Sequence, residues 1–133
     1  MPLPTTLAEF RTRWLPHASD TGLARLIELL QQASPFLVHG AFERCAPTGC
    51  LATHLAWHHP ETADLAEEAG VTWLAHVAGL NPATSHVIQE WDRAGVHDWP
   101  LRSELLRLCR DEADRRADGE WATAESEEVA CLC

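Results

Sequence analysis

Prolines at positions 16, 35, 47, 60, 82 and 100 cut this chain into short stretches, and within them the apolar residues recur at helical spacing. Leu23, Leu26, Ile27 and Leu30 follow the i, i+3, i+4, i+7 pattern that places one stripe of a helix against a core. Leu7, Phe10 and Trp14 repeat it early in the chain, and Leu101, Leu105 and Leu108 repeat it late. No stretch alternates apolar with polar residues, and β-branched residues are sparse. The expected fold is therefore all-α: a compact bundle of about six or seven short helices, without internal repeats.

Local signals set the boundaries. A helix over 6–15 is predicted, with Thr6 and Glu9 at capping-box spacing and Pro16 as its stop. A second starts at Ser19 or Asp20 and runs to about residue 33. A third opens with Ser34 as cap and Pro35 at its first position, and carries Phe36, Leu37 and Phe42. The fourth begins after Pro47 with Thr48 as cap, places Cys50 in its first turn, and stops at Pro60. Then come 61–69 and 72–78, divided at Gly70, then 82–93 after the Asn81-Pro82 break, and finally 100–117. On that last helix Arg107–Asp111, Asp111–Arg115 and Glu112–Arg116 read as solvated i,i+4 pairs.

A chain of 133 residues suits one domain, here 1–118, followed by an acidic tail over 119–133 that ends Cys131-Leu132-Cys133. Acidic residues number 20 against 10 basic ones, for a net charge of −10. Every basic residue is arginine, which with abundant Ala and Leu points to a GC-rich, bacterial coding bias. Such a charge disfavours nucleic acid and anionic membranes as partners. The apolar runs are too short to span a bilayer. Glu9, Arg11 and Arg13 break up any signal-peptide core, and the cysteine count of 5 is odd. A cytoplasmic protein with mostly free thiols is expected.

Chemistry concentrates between His39 and His59. Cys50, His54 and His58 follow one another at i+4 and share one arc of a helix with Leu51, Leu55 and Trp57. Ala52, Thr53, Ala56 and His59 point the other way. His54 thus falls among apolar neighbours, where it must find a partner or stay neutral. One reading is a core histidine. Another is a metal site, with Cys45, Cys50, His54 and His58 as ligands, supplemented by His39 or Glu43 and suited to zinc. A third is thiol chemistry, with Cys50 as nucleophile, His54 as its base and Cys45 as resolving thiol.

The run Glu43-Arg-Cys45-Ala-Pro-Thr-Gly-Cys50-Leu-Ala-Thr-His54 resembles the redox motif of the alkylhydroperoxidase and carboxymuconolactone-decarboxylase group. Cys50 and His54 carry the likeness. That group separates its cysteines by two residues, where Cys45 and Cys50 have four between them. The stretch 65–95 resembles the helix-turn-helix of bacterial repressors, with Ala75 as the small residue, Gly79 in the turn and Leu80 after it. That likeness implies a recognition helix in the major groove. Its exposed residues include Gln89, Glu90 and Asp92, which provide little for phosphate.

Trp14, Trp57, Trp73 and Trp91 belong to apolar faces, whereas Trp99 and Trp121 are candidates for a partner contact. A binding or regulatory role is expected rather than catalysis, with a protein partner or a second copy of the chain.

Overall fold

The computed structural model describes residues 3–34, 37, 50–65 and 69–132, with backbone alone from residue 120 onward. Every regular element among them is helical, in agreement with the all-α expectation. In order they are α1 (Leu3–Glu9), α2 (Asp20–Gln31), α3 (Leu51–Trp57), α4 (Ala69–Thr72), α5 (His86–Ala94) and α6 (Trp99–Leu132). The helix expected from Ser34 lies almost wholly outside the described residues. Of its members Leu37 is described, and it is buried.

α1 begins earlier than the sequence implies and changes pitch rather than stopping at Pro16. Phe10–Trp14 forms a wide π turn, in which the Leu15 N–H reaches back five residues to the Phe10 carbonyl. Within this region Thr12 Oγ1 donates to the Ala8 carbonyl at 2.7 Å, a side-chain bond that competes with the helical ladder. Leu15–His17 then tightens to a 3-10 turn over Pro16. A second π turn, Trp73–Val77, extends α4 and closes with the Ala78 N–H on the Trp73 carbonyl. The two wide turns meet through their tryptophans, Trp14 and Trp73, with ring centroids 5.5 Å apart. Trp14, Trp73 and Trp91 are fully buried, so three of the tryptophans assigned to the core lie there.

Thr6 and Glu9 do not cap their own helix. Thr6 is buried inside α1. The Glu9 carboxylate instead caps α5, accepting from Ser85 Oγ at 2.6 Å and from the backbone N–H groups of His86 and Val87 at 2.8 and 3.1 Å. It also accepts from Trp14 Nε1 at 3.1 Å. This explains why α5 starts at His86 rather than Pro82. Asn81 takes the Ala83 N–H into a side-chain turn, and Ser85 with Glu9 then satisfies the first free donors of the helix.

α3 is the central element. It packs on α2 on one side and on α4 with its wide turn on the other. Residues Leu51 through Ala56 are all buried, including Ala52, Thr53 and Ala56, which the helical arc placed away from the core. Gly70 is the closest approach: a Cβ there would stand 2.6 Å from Thr53 Oγ1 and 3.1 Å from the Thr53 backbone. It does not divide two helices but lies inside α4, where only glycine lets the two backbones pass. Residues 61–64 form a turn rather than a helix, fastened by Thr62 Oγ1 on the Ala56 carbonyl at 2.7 Å.

α6 packs on α2 and is pinned by Arg116. Its guanidinium donates to Asp20 Oδ1, Glu112 Oε2 and the carbonyls of Leu15 and Ala18, at 2.7 to 2.9 Å. Leu15 opens the 3-10 turn and its carbonyl also accepts the Ala18 N–H at 3.2 Å, while Ala18 is the residue that caps the turn's end. Arg116 is therefore a structural clamp, not a solvated charge. Among the described residues no helix is long and apolar enough to cross a membrane.

Candidate functional site

Cys50 occupies the cap position of α3 rather than its first turn, with extended backbone and its carbonyl accepting the His54 N–H at 3.1 Å. Its side chain is buried, and Sγ lies 3.4 Å from Thr53 Oγ1. Burial pushes the thiol above its ordinary value of 9.0; the bond with Thr53 and nearby backbone N–H groups pull downward without reversing it. The balance favours the neutral thiol over the thiolate. Nucleophilic attack and metal ligation both require the thiolate, which this setting opposes.

His54 is buried, as its place on the apolar arc implies, and its ring meets Trp57 edge-on at 5.3 Å between centroids. His58 ends the helix, half-buried, with its carbonyl accepting from Ser19 Oγ at 2.5 Å. The predicted ligands Cys50, His54 and His58 therefore share a helix, but no group of three or more potential metal ligands exists among the described residues. Cys45, His39, Glu43 and the expected cap Thr48 lie outside the described residues, as do the side chains of Cys131 and Cys133.

Within the stretch likened to a helix-turn-helix, Gly79 does adopt the left-handed conformation, φ +71°. The rest of the geometry differs. Eight residues, 78–85, separate the end of the wide turn from α5, whereas the motif uses a turn of about three or four. Ala75 is exposed instead of meeting a second helix. α5 packs on α1 and buries Val87, Ile88, Glu90 and Trp91, which leaves little of it to enter a groove.

The open chemistry lies elsewhere. A groove of about 440 Å³ runs between the 10–17 segment and α6. Its apolar floor is Leu15, Pro16 and Leu108, and its rim holds Arg11, Arg107 and Arg115 with Asp111 and Glu112. Arg107 pairs with Glu104 at 2.6 Å and Asp111 at 3.2 Å. Arg115 and Arg116 share Glu112, at 2.6 and 2.7 Å. Burial works against ionisation of Glu112, but hydrogen bonds from Arg115 and Arg116 outweigh it and hold the carboxyl below its usual range. The Asp111–Arg115 pair expected from spacing is replaced by Arg115–Glu112. Arg11 is exposed, with no hydrogen-bond or ion-pair partner among the described residues. The residues facing this groove carry more positive than negative charge, on a chain whose net charge is −10. Nothing local in the sequence marks the site, because it forms only when residues near position 11 meet residues near position 110.

No family model, curated protein or solved structure matches this chain.

Proposed function

We propose that this chain is a non-enzymatic binding protein, and that its binding surface is the arginine-rimmed groove between residues 10–17 and α6. The observation that carries the reading is Arg11: a guanidinium without a partner among the described residues, at the edge of a groove floored by Leu15, Pro16 and Leu108. A guanidinium so placed favours a carboxylate, with fork geometry that an ammonium lacks. The floor favours an apolar side chain next to that carboxylate. The partner is thus an acidic segment bearing at least one large apolar residue. The burial of Cys50, which disfavours its thiolate, supports a binding role over thiol catalysis.

The test is fluorescence anisotropy with a labelled peptide of Glu and Trp residues, against the same peptide with Lys in place of Glu. The acidic peptide should bind and the basic one should not. Arg11→Ala should weaken binding about five- to tenfold, the loss of one charge-assisted contact worth roughly 1 to 1.4 kcal/mol. Equal binding of both peptides, or indifference to Arg11→Ala, refutes the proposal.

A further inference from the structure

α6 is a single helix of 34 residues, about 50 Å long at the standard rise per residue. Among the described side chains of α6, Arg116 is the one nearest the C-terminus that bonds to another element. Ala117 and Asp118 are exposed, and the helix continues to Leu132. That continuation contains Gly119, Thr123 and Ser126, which are weaker helix formers than alanine. It extends a helix already nucleated on the body, and each added residue gains one backbone bond.

Basic residues of α6 are confined to its first part, where they alternate with Glu104, Asp111, Glu112 and Asp114. Arg102, Arg107, Arg110, Arg115 and Arg116 all precede Asp118. From Asp118 onward every charged side chain is acidic: Asp118, Glu120, Glu125, Glu127 and Glu128. The same acidic stretch contains Trp121, Val129 and Leu132. It matches the partner chemistry proposed for the groove, an acidic segment with large apolar side chains. It cannot reach its own groove while α6 stays continuous, because Leu132 lies about 25 Å beyond Arg115 along the helix axis.

We infer that the occupant of the groove is the acidic C-terminal stretch of a second copy of this chain, exchanged reciprocally so that each subunit's α6 end lies across the other's Arg11–Arg115 rim. The inference rests on the groove being a site for acidic segments. In such a pair both contacts are equivalent by two-fold symmetry, and each α6 runs antiparallel to its counterpart.

The experiment is sedimentation of the full-length chain from about 1 to 200 µM in 150 mM salt, where the Debye length of about 8 Å screens the distant like charges but not contact pairs. The parent chain should dimerise within this range. Two charge-reversed forms are compared with it: one carries E125R, E127R and E128R, the other R11E and R107E. Each should be monomeric alone, with dimer affinity reduced at least tenfold. An equimolar mixture should recover the dimer, since the basic tail then meets the acidic groove and the acidic tail meets the basic groove. R11E alone, at an exposed residue with no partner among the described residues, serves as the fold-neutral version and should weaken the parent dimer.

A parent chain that remains monomeric throughout, or reversed forms that dimerise as well as the parent, overturns the exchange. So does a mixture that does not recover dimer while circular dichroism shows both forms folded. If the exchange fails but the acidic peptide still binds in an Arg11-dependent way, the groove survives as a site for other proteins. If neither happens, both readings fall.

Discussion

Replacing Glu9 with alanine should destabilise the protein severely for a change at a partly exposed residue. Its carboxylate takes four donors from two places: Trp14 Nε1 in the first helical segment, and Ser85 Oγ, His86 N and Val87 N at the start of α5. Alanine leaves the indole N–H of a fully buried tryptophan without an acceptor, which costs about 1–3 kcal/mol. Losing the cap on the two backbone N–H groups costs about 1 kcal/mol, because Ser85 Oγ still accepts from Ile88 N. The stranded Ser85 hydroxyl adds about 1 kcal/mol. The expected loss is roughly 3–5 kcal/mol, a large share of the 5–15 kcal/mol typical of a domain. In urea, with a slope of about 2 kcal/mol per molar, the midpoint should fall by about 2 M. Tryptophan fluorescence and far-ultraviolet circular dichroism during urea titration provide the measurement. A double-mutant cycle with Ser85→Ala should reveal at least about 0.5 kcal/mol of coupling, because the two residues share one bond. A loss below about 1 kcal/mol for Glu9→Ala, or strictly additive effects, would refute the capping account.

Four further outcomes are expected. Gly70→Ala should cost about 1–3 kcal/mol by forcing α3 and α4 apart, read from the same urea titration. Ala33→Gly should stabilise by roughly 0.5–1 kcal/mol, since Ala33 ends α2 at φ +50°, where glycine carries no Cβ penalty. Stability should decline as pH rises from about 9 towards 12: burial and then Glu112 push the Cys109 thiol up to about 12, so above 9.0 it ionises only in the unfolded chain. Calorimetric melting temperatures across that range check the slope, which Cys109→Ala should reduce. In acid, the depressed Glu112 carboxyl contributes stability that is complete above its ordinary value of 4.5 and is lost as pH falls below it. Glu112→Gln should flatten that part of the stability profile.

The fold class was legible because periodicity is a local property: Leu23, Leu26 and Leu30 define a buried stripe wherever α2 packs. The burial of His54 was legible for the same reason. The start of α2 was legible at Ser19 or Asp20, and the structure begins it at Asp20 with the Ser19 hydroxyl accepting from Gly22 N. What failed were inferences that assigned a local partner to a side chain with a distant one. Glu9 has capping-box spacing to Thr6 but caps a helix 76 residues away. Arg116 has i,i+4 spacing to Glu112, and it also clamps carbonyls about a hundred positions earlier. The apolar arc of α3 implied one buried side, whereas close packing at Gly70 buries the opposite side too. The groove was invisible for a related reason, since Arg11 and Arg115 become neighbours only through the packing of α6 on the first helical segment.

The central claim is that Cys50 and His54 belong to the interior, and that the working surface is the arginine-rimmed groove. Alkylation with iodoacetamide at pH 7.5, followed peptide by peptide by mass spectrometry, tests it at the residue that matters. The account predicts that Cys50 is protected in the folded protein together with Cys109, and that both react only on unfolding in urea. Labelling of Cys50 in the native state, at the rate of an exposed thiol, would contradict it.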